Sequence, residues 1–183
     1  MKRTLLALLA LLFTQITHAD GVIADASAFT AGTDVSEAYP GIVLSTAEAS
    51  MIVNDLDVSE PLHLISENTT VVYTTGTYFS HASGDIWSAG QCCGGDIALR
   101  ADFTRPTFNV SVLFVNTDTD TAVLQIYDKH GNLLGEVLDR KSEPFTLSLT
   151  TPNKPIAFAL ATFGDTGRIA SLAYTQPPRP KEE

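Results

Sequence analysis

The sequence predicts an all-β protein, an antiparallel two-layer β-sandwich of the jelly-roll type, and three observations predict it. Thr, Val, Ile, Phe and Tyr fill short runs that Gly, Pro, Asn and Asp interrupt every 8–12 residues or so. Several runs alternate apolar and polar residues with a period of two. No window carries a sustained helical period; the best, Val35 to Tyr39, is at most a turn and ends at Pro40.

The chain opens with Lys2-Arg3, the unbroken apolar run Leu5 to Phe13, and Thr17-His18-Ala19 before Asp20. A basic start, a core of about 7–15 apolar residues and a small-x-small ending make a secretory signal peptide. The run falls short of the ~20 residues a membrane span needs. Residues 1–19 are therefore read as a signal peptide, 20–176 as one β-sandwich domain and 177–183 as a disordered Pro-rich tail. The protein is expected to be exported, to the periplasm or outside the cell, with no membrane span after cleavage.

Along the domain, strands are expected near 41–47, 51–58 and 62–74. Ile97 to Phe103 places Ile97, Leu99 and Phe103 on one face and Arg100 and Asp102 on the other. That alternation suits a sheet with one buried face. Asn109–Val115 and Ile156–Phe163 are apolar on both faces and should be central strands. Val123–Tyr127 and Leu133–Leu138 flank Asp128-Lys129-His130-Gly131-Asn132, a hairpin turning near Gly131. Phe145–Leu149 alternates again, and a last strand covers 168–175.

The 183 residues carry 11 Lys and Arg against 21 Asp and Glu, a net charge of −10. Loss of Lys2 and Arg3 with the first nineteen residues makes it 9 − 21 = −12 over 183 − 19 = 164 residues. Such a chain repels phosphate backbones and anionic head groups, which argues against nucleic-acid and membrane-surface partners.

Phe29-Thr30-Ala31-Gly32-Thr33-Asp34-Val35-Ser36, continuing through Tyr39-Pro40-Gly41-Ile42, resembles the opening of many exported proteins of the PEP-CTERM (exosortase-sorted) group. Ala101-Asp102-Phe103 and the segment Leu124-Gln125-Ile126-Tyr127-Asp128-Lys129-His130-Gly131-Asn132-Leu133-Leu134 resemble the middle of the same domains. The resemblance spans roughly residues 29–174 and implies a jelly roll, a fold shared with carbohydrate-binding modules. A Pro-Glu-Pro sorting signal is absent from this sequence, so covalent anchoring is not expected. The closing strand of such domains often carries an Asp that ligates structural calcium; the matching Ile169 to Tyr174 has no carboxylate.

Candidate chemistry concentrates between Tyr78 and Asp96. This Gly-rich stretch holds the only tryptophan, Trp87, and the only cysteines, Cys92 and Cys93. An exposed Trp87 would stack on a sugar face, with Tyr78 alongside and Asp85, Gln91 and Asp96 exchanging hydrogen bonds with hydroxyls. The alternative is a Trp that caps the sandwich core. Neighbouring Cα atoms sit about 3.8 Å apart, below the usual disulfide separation of about 4.4–6.8 Å. A Cys92–Cys93 ring is therefore strained, yet an oxidising compartment favours it; two free thiols are the alternative. Asn116, Asp118 and Asp120 alternate in an extended loop and could converge on calcium. A polar hairpin tip is the plainer reading, and Asp34 and Glu37 are alternative ligands. No other cofactor is implied.

There is no G-x-S-x-G, H-E-x-x-H or phosphate-binding glycine loop. The leading expectation is thus a non-catalytic binding module for envelope or matrix carbohydrate. A structural, surface-assembly protein is the second reading, and a small glycan hydrolase with a carboxylate pair the third.

Overall fold

The computed structural model describes residues 20–54, 57–68, 70–89, 97–115 and 120–177. Among these residues twelve strands follow one another: β1 (Asp20–Asp25), β2 (Ile42–Asn54), β3 (Asp57–Asn68), β4 (Tyr73–Thr74), β5 (Phe79–Ser80), β6 (Ile97–Thr107), β7 (Asn109–Val115), β8 (Thr121–Tyr127), β9 (Leu133–Arg140), β10 (Phe145–Thr150), β11 (Ile156–Phe163) and β12 (Arg168–Gln176). One 3-10 turn, Ala26–Ala28, follows β1. No helix among the described residues is long and apolar enough to cross a membrane.

The strands form a four-stranded sheet, β1-β12-β7-β10, and a six-stranded sheet, β3-β2-β6-β11-β8-β9, with β4-β5 as a small separate ribbon. Every pairing is antiparallel. From β6 to β12 the chain passes repeatedly between the two sheets, which is how a jelly roll closes its layers. The main core lies between them: Leu99, Leu124, Ala159 and Ala161 from one sheet meet Val112, Phe114, Leu147 and Leu172 from the other. Phe114 stacks on Phe145 at 5.9 Å and meets Phe163 edge-on at 5.2 Å.

Several expected strands are observed with adjusted bounds. The hairpin turn keeps Gly131 at φ +77°, a conformation that favours glycine. β10 alternates buried and exposed residues from Phe145 to Ser148, and β11 is buried on both faces almost throughout. Three expectations change. Residues 41–47 and 51–58 belong largely to one long strand, β2, and its partner is 57–68 rather than 62–74. β7 is interior to its sheet, but only alternate residues are buried, with Ser111 and Leu113 partly solvated on the outer side. Ala98, Leu99, Arg100 and Ala101 are all buried, so β6 is covered on both faces here rather than on one. Val35 to Tyr39 makes the single turn expected, closed by the Ala38 N–H on the Val35 carbonyl at 3.2 Å and pinned by the Val35 N–H on the Val72 carbonyl at 2.9 Å.

The β2–β3 pairing slips register between Glu48 and Ala49 and again between Ser50 and Ile52. Such irregularities bend a ribbon. The far part of this hairpin covers the outer face of its own sheet, where Met51 and Leu62 join Val123, Tyr127, Phe158 and Leu160 in a second buried cluster.

Candidate functional site

The segment from Tyr78 to Asp85 does not offer the stacking platform the sequence suggested. Trp87 is 0% exposed. Its indole N–H donates to the Phe79 carbonyl at 3.1 Å, its backbone N–H to Gly167 at 2.9 Å, and His81 packs against it at 5.0 Å. A large apolar ring with a satisfied N–H gains most by plugging the sandwich, so Trp87 caps the core. Asp85 and Tyr78 are brought together instead through β12. The Arg168 guanidinium bonds the Asp85 carboxylate at 2.9 Å and lies 5.6 Å from the Tyr78 ring centre. Gln91, Cys92, Cys93 and Asp96 lie outside the described residues.

Asn116 and Asp118 also lie outside them. Asp120 accepts hydrogen bonds from the Thr166 backbone N–H at 3.1 Å and the Thr166 hydroxyl at 3.3 Å, an anchoring role between two loops. No group of three or more His, Cys, Asp or Glu able to hold a metal ion occurs among the described residues.

The richest polar arrangement lies on the outer face of the six-stranded sheet, which composition alone did not single out. Register aligns two rows across the strands. One runs Tyr127, Phe158, Asp102, Val43; the next runs Glu136, Gln125, Leu160, Arg100, Ser45. Phe158 and Tyr127 stack nearly parallel at 4.6 Å, and Arg100 covers the Phe158 ring at 4.1 Å. Arg100 also grips Asp102, Nε to Oδ2 and Nη2 to Oδ1, each at 2.8 Å. Gln125 is buried. Its amide donates to the Leu62 carbonyl at 2.9 Å and to Glu136 at 2.5 Å, and its oxygen accepts from the Tyr127 hydroxyl at 2.5 Å. Burial, then the Glu136 charge, pushes the Tyr127 hydroxyl up to about 12, so it stays a donor at neutral pH.

Both faces of Phe158 are therefore occupied, and it positions rather than stacks. What the array presents to solvent is Asp102, whose side chain is 40% exposed while that of Arg100 is 10% exposed. Asp102 sits on the wall of a groove of about 630 Å³, with Asp34, Glu37, Val43, Ser45 and Thr70. The opposite wall is fixed by short-range bonds. Asp34 Oδ1 accepts from the Ser36 N–H at 2.9 Å, the Ser36 hydroxyl accepts from the Val72 N–H at 2.9 Å, and the Leu44 N–H reaches the Ser36 carbonyl at 2.8 Å. The lining thus combines carboxylates and hydroxyls with the apolar Val43, Ala38 and Val71, a mix able to accept hydrogen bonds beside an apolar contact.

No protein-family model matches this chain, and no curated protein sequence matches it. Among solved structures it is similar to a mutant of CBM29-2, a family 29 carbohydrate-binding module, at 8% identity and a TM-score of 0.43, covering 90% of this chain and 100% of that one. A second family 29 carbohydrate-binding module gives 9% identity and 0.41, with 87% and 90% covered. The enzymatically active domain of bacteriophage CBA120 tailspike protein 4 gives 14% and 0.28, with 74% of this chain and 18% of that one covered. Likenesses of this degree assign no residue a role.

Proposed function

We propose that this protein is an exported, non-catalytic carbohydrate-binding module acting on envelope or matrix glycans. The observation that carries the reading is Asp102, held by two bonds from a buried arginine on the wall of an open, hydroxyl- and carboxylate-lined groove. A carboxylate kept in one orientation by a rigid sheet recognises a pair of sugar hydroxyls without first losing conformational freedom. Strands β2 and β6 hold Val43, Ser45 and Asp102, and the connections at 34–38 and 70–71 supply the facing residues.

The test is a glycan array probed with the secreted protein, with calcium and with chelator, alongside Asp102→Ala. Selective binding lost in the variant supports the groove. Binding that needs calcium sends attention to Asn116, Asp118 and Asp120, and binding kept by Asp102→Ala removes the groove from consideration.

A structural, surface-assembly role is the second reading, and one observation favours it. Edge strands β1, β3 and β9 expose Ile23 (65%), Ile65 (54%), Leu133 (52%) and Leu138 (48%). Apolar side chains on open edges invite strand-to-strand association. A blank array together with concentration-dependent sedimentation would put this reading first.

A further inference from the structure

The proposed glycan site leaves unexplained a second depression, of about 360 Å³, to which β6 also contributes. Asp102 of β6 lines the groove, and Phe103 to Pro106 of the same strand line this depression. Arg105, Lys129 and Lys154 converge on it from three separate parts of the chain: β6, the β8–β9 turn and the β10–β11 connection. In a chain with 11 Lys and Arg against 21 acids, three cations at one depression oppose the overall charge.

No described residue forms an ion pair with any of the three. Arg100–Asp102, Lys141–Asp139 and Arg168–Asp85 pair elsewhere. Arg105 is positioned by neutral oxygens, the Gln176 side chain at 3.4 Å and the Pro177 carbonyl. One carboxylate, Asp128, also lines the wall, but its oxygens are turned to the hairpin. They accept from the His130 N–H at 2.8 Å, the Asn132 N–H at 3.0 Å and the Asn132 amide at 2.9 Å. Phe103, Pro106 and Ile156 supply apolar lining. Lys154 lines a further depression of about 310 Å³ with Leu133 and Asn153, so the surface continues beyond one sugar ring.

We infer that this depression is an oxyanion subsite and that the ligand is an acidic glycan, its carboxylate or sulfate group held by Arg105, Lys129 and Lys154. The inference rests on the carbohydrate-binding reading and names the ligand class. Charge-assisted bonds to an oxyanion are roughly twice as strong as those between neutral groups. The apolar lining takes the sugar ring, which a free inorganic anion lacks.

Affinity electrophoresis of the secreted protein tests it, in gels containing polygalacturonate, dextran sulfate or neutral dextran and galactan. Retardation is expected in an acidic gel, polygalacturonate separating carboxylate from sulfate recognition. The double variant Lys129→Ala/Lys154→Ala should weaken it about tenfold or more. Both side chains are exposed, so the fold should persist, as circular dichroism will check. Lys141→Ala removes a cation elsewhere and should leave retardation unchanged. Equal retardation of the double variant, or equal loss in Lys141→Ala, overturns the inference. Retardation by neutral glycans alone, abolished by Asp102→Ala, overturns it while leaving the carbohydrate reading standing. No retardation in any gel defeats both.

Discussion

The Arg100 guanidinium lies 4.1 Å from the centre of the Phe158 ring and uses two of its nitrogens on Asp102. Adjacent strands make this possible, because Phe158 of β11 is in register with Asp102 of β6 and Arg100 is two residues away on the same face. A planar cation can cover an aromatic ring and fork onto a carboxylate at once, whereas an ammonium does one or the other.

Arg100→Lys should therefore release Asp102 without removing the charge. We expect glycan affinity to fall about tenfold and stability by roughly 1–2 kcal/mol, the scale of one lost charge-assisted bond. Urea unfolding and glycan titration read the two effects separately. Unchanged affinity would mean that Asp102 needs no holding.

Trp87 is the only tryptophan, so its fluorescence reports one site. The emission should be blue-shifted, insensitive to iodide and unmoved by glycan. Trp87→Ala should destabilise the fold by about 3–5 kcal/mol, as large aromatic truncations in cores do. Ready quenching by iodide in the native protein would contradict its burial.

Two glycines face side chains with no room to spare. A Cβ at Gly167 meets the Phe163 ring, and one at Gly41 meets the Gln176 amide, with Gly41 also at φ +78°. Alanine at either position should cost about 1–3 kcal/mol. At Gly41 strain adds to crowding, and the Gln176 amide bond to the Gly41 carbonyl, 2.9 Å, is put at risk. Thermal unfolding of the two variants should show both losses.

Tyr39, Tyr127 and Tyr174 are each raised to about 12, burial being the largest cause in every case. An unfolded tyrosine ionises near 10. The folded state therefore holds protons that the unfolded state releases, and stability declines as pH rises from about 10 to 12. Below pH 10 these groups contribute no pH dependence. Ultraviolet titration should show three of the five tyrosines ionising late, and Tyr127→Phe should flatten the alkaline fall in urea midpoint. A single transition near pH 10 for all five would refute the burial argument.

Where two faces of one segment differ in polarity, its structure was legible from nearest neighbours. Phe145 to Leu149 and the turn at Gly131 needed no more than their own periods and glycine, whereas Ile97 to Phe103 was legible as a strand but not as one buried on both faces, because the β2–β3 ribbon covers Ala98 and Arg100. The first strand, Asp20–Asp25, was not seen, because its few apolar residues gain their place only by pairing with β12. The division of β2 was likewise misread, since a bent ribbon mixes the periods of two faces. Residue type marked Trp87 as notable, but whether an indole faces water or core depends on what lies across the sandwich, here Gly167 and Phe79.

By itself, then, the sequence determined the class of fold, most of its strands and a charge that disfavours polyanions in bulk. Tertiary structure decided which polar groups meet. Asp102 reaches its groove because β2 and β6 pair, and Arg105, Lys129 and Lys154 meet because β6, β11 and β8 lie side by side. Those pairings join residues tens of positions apart. Their free energy comes from burying both layers together, a quantity no local window contains.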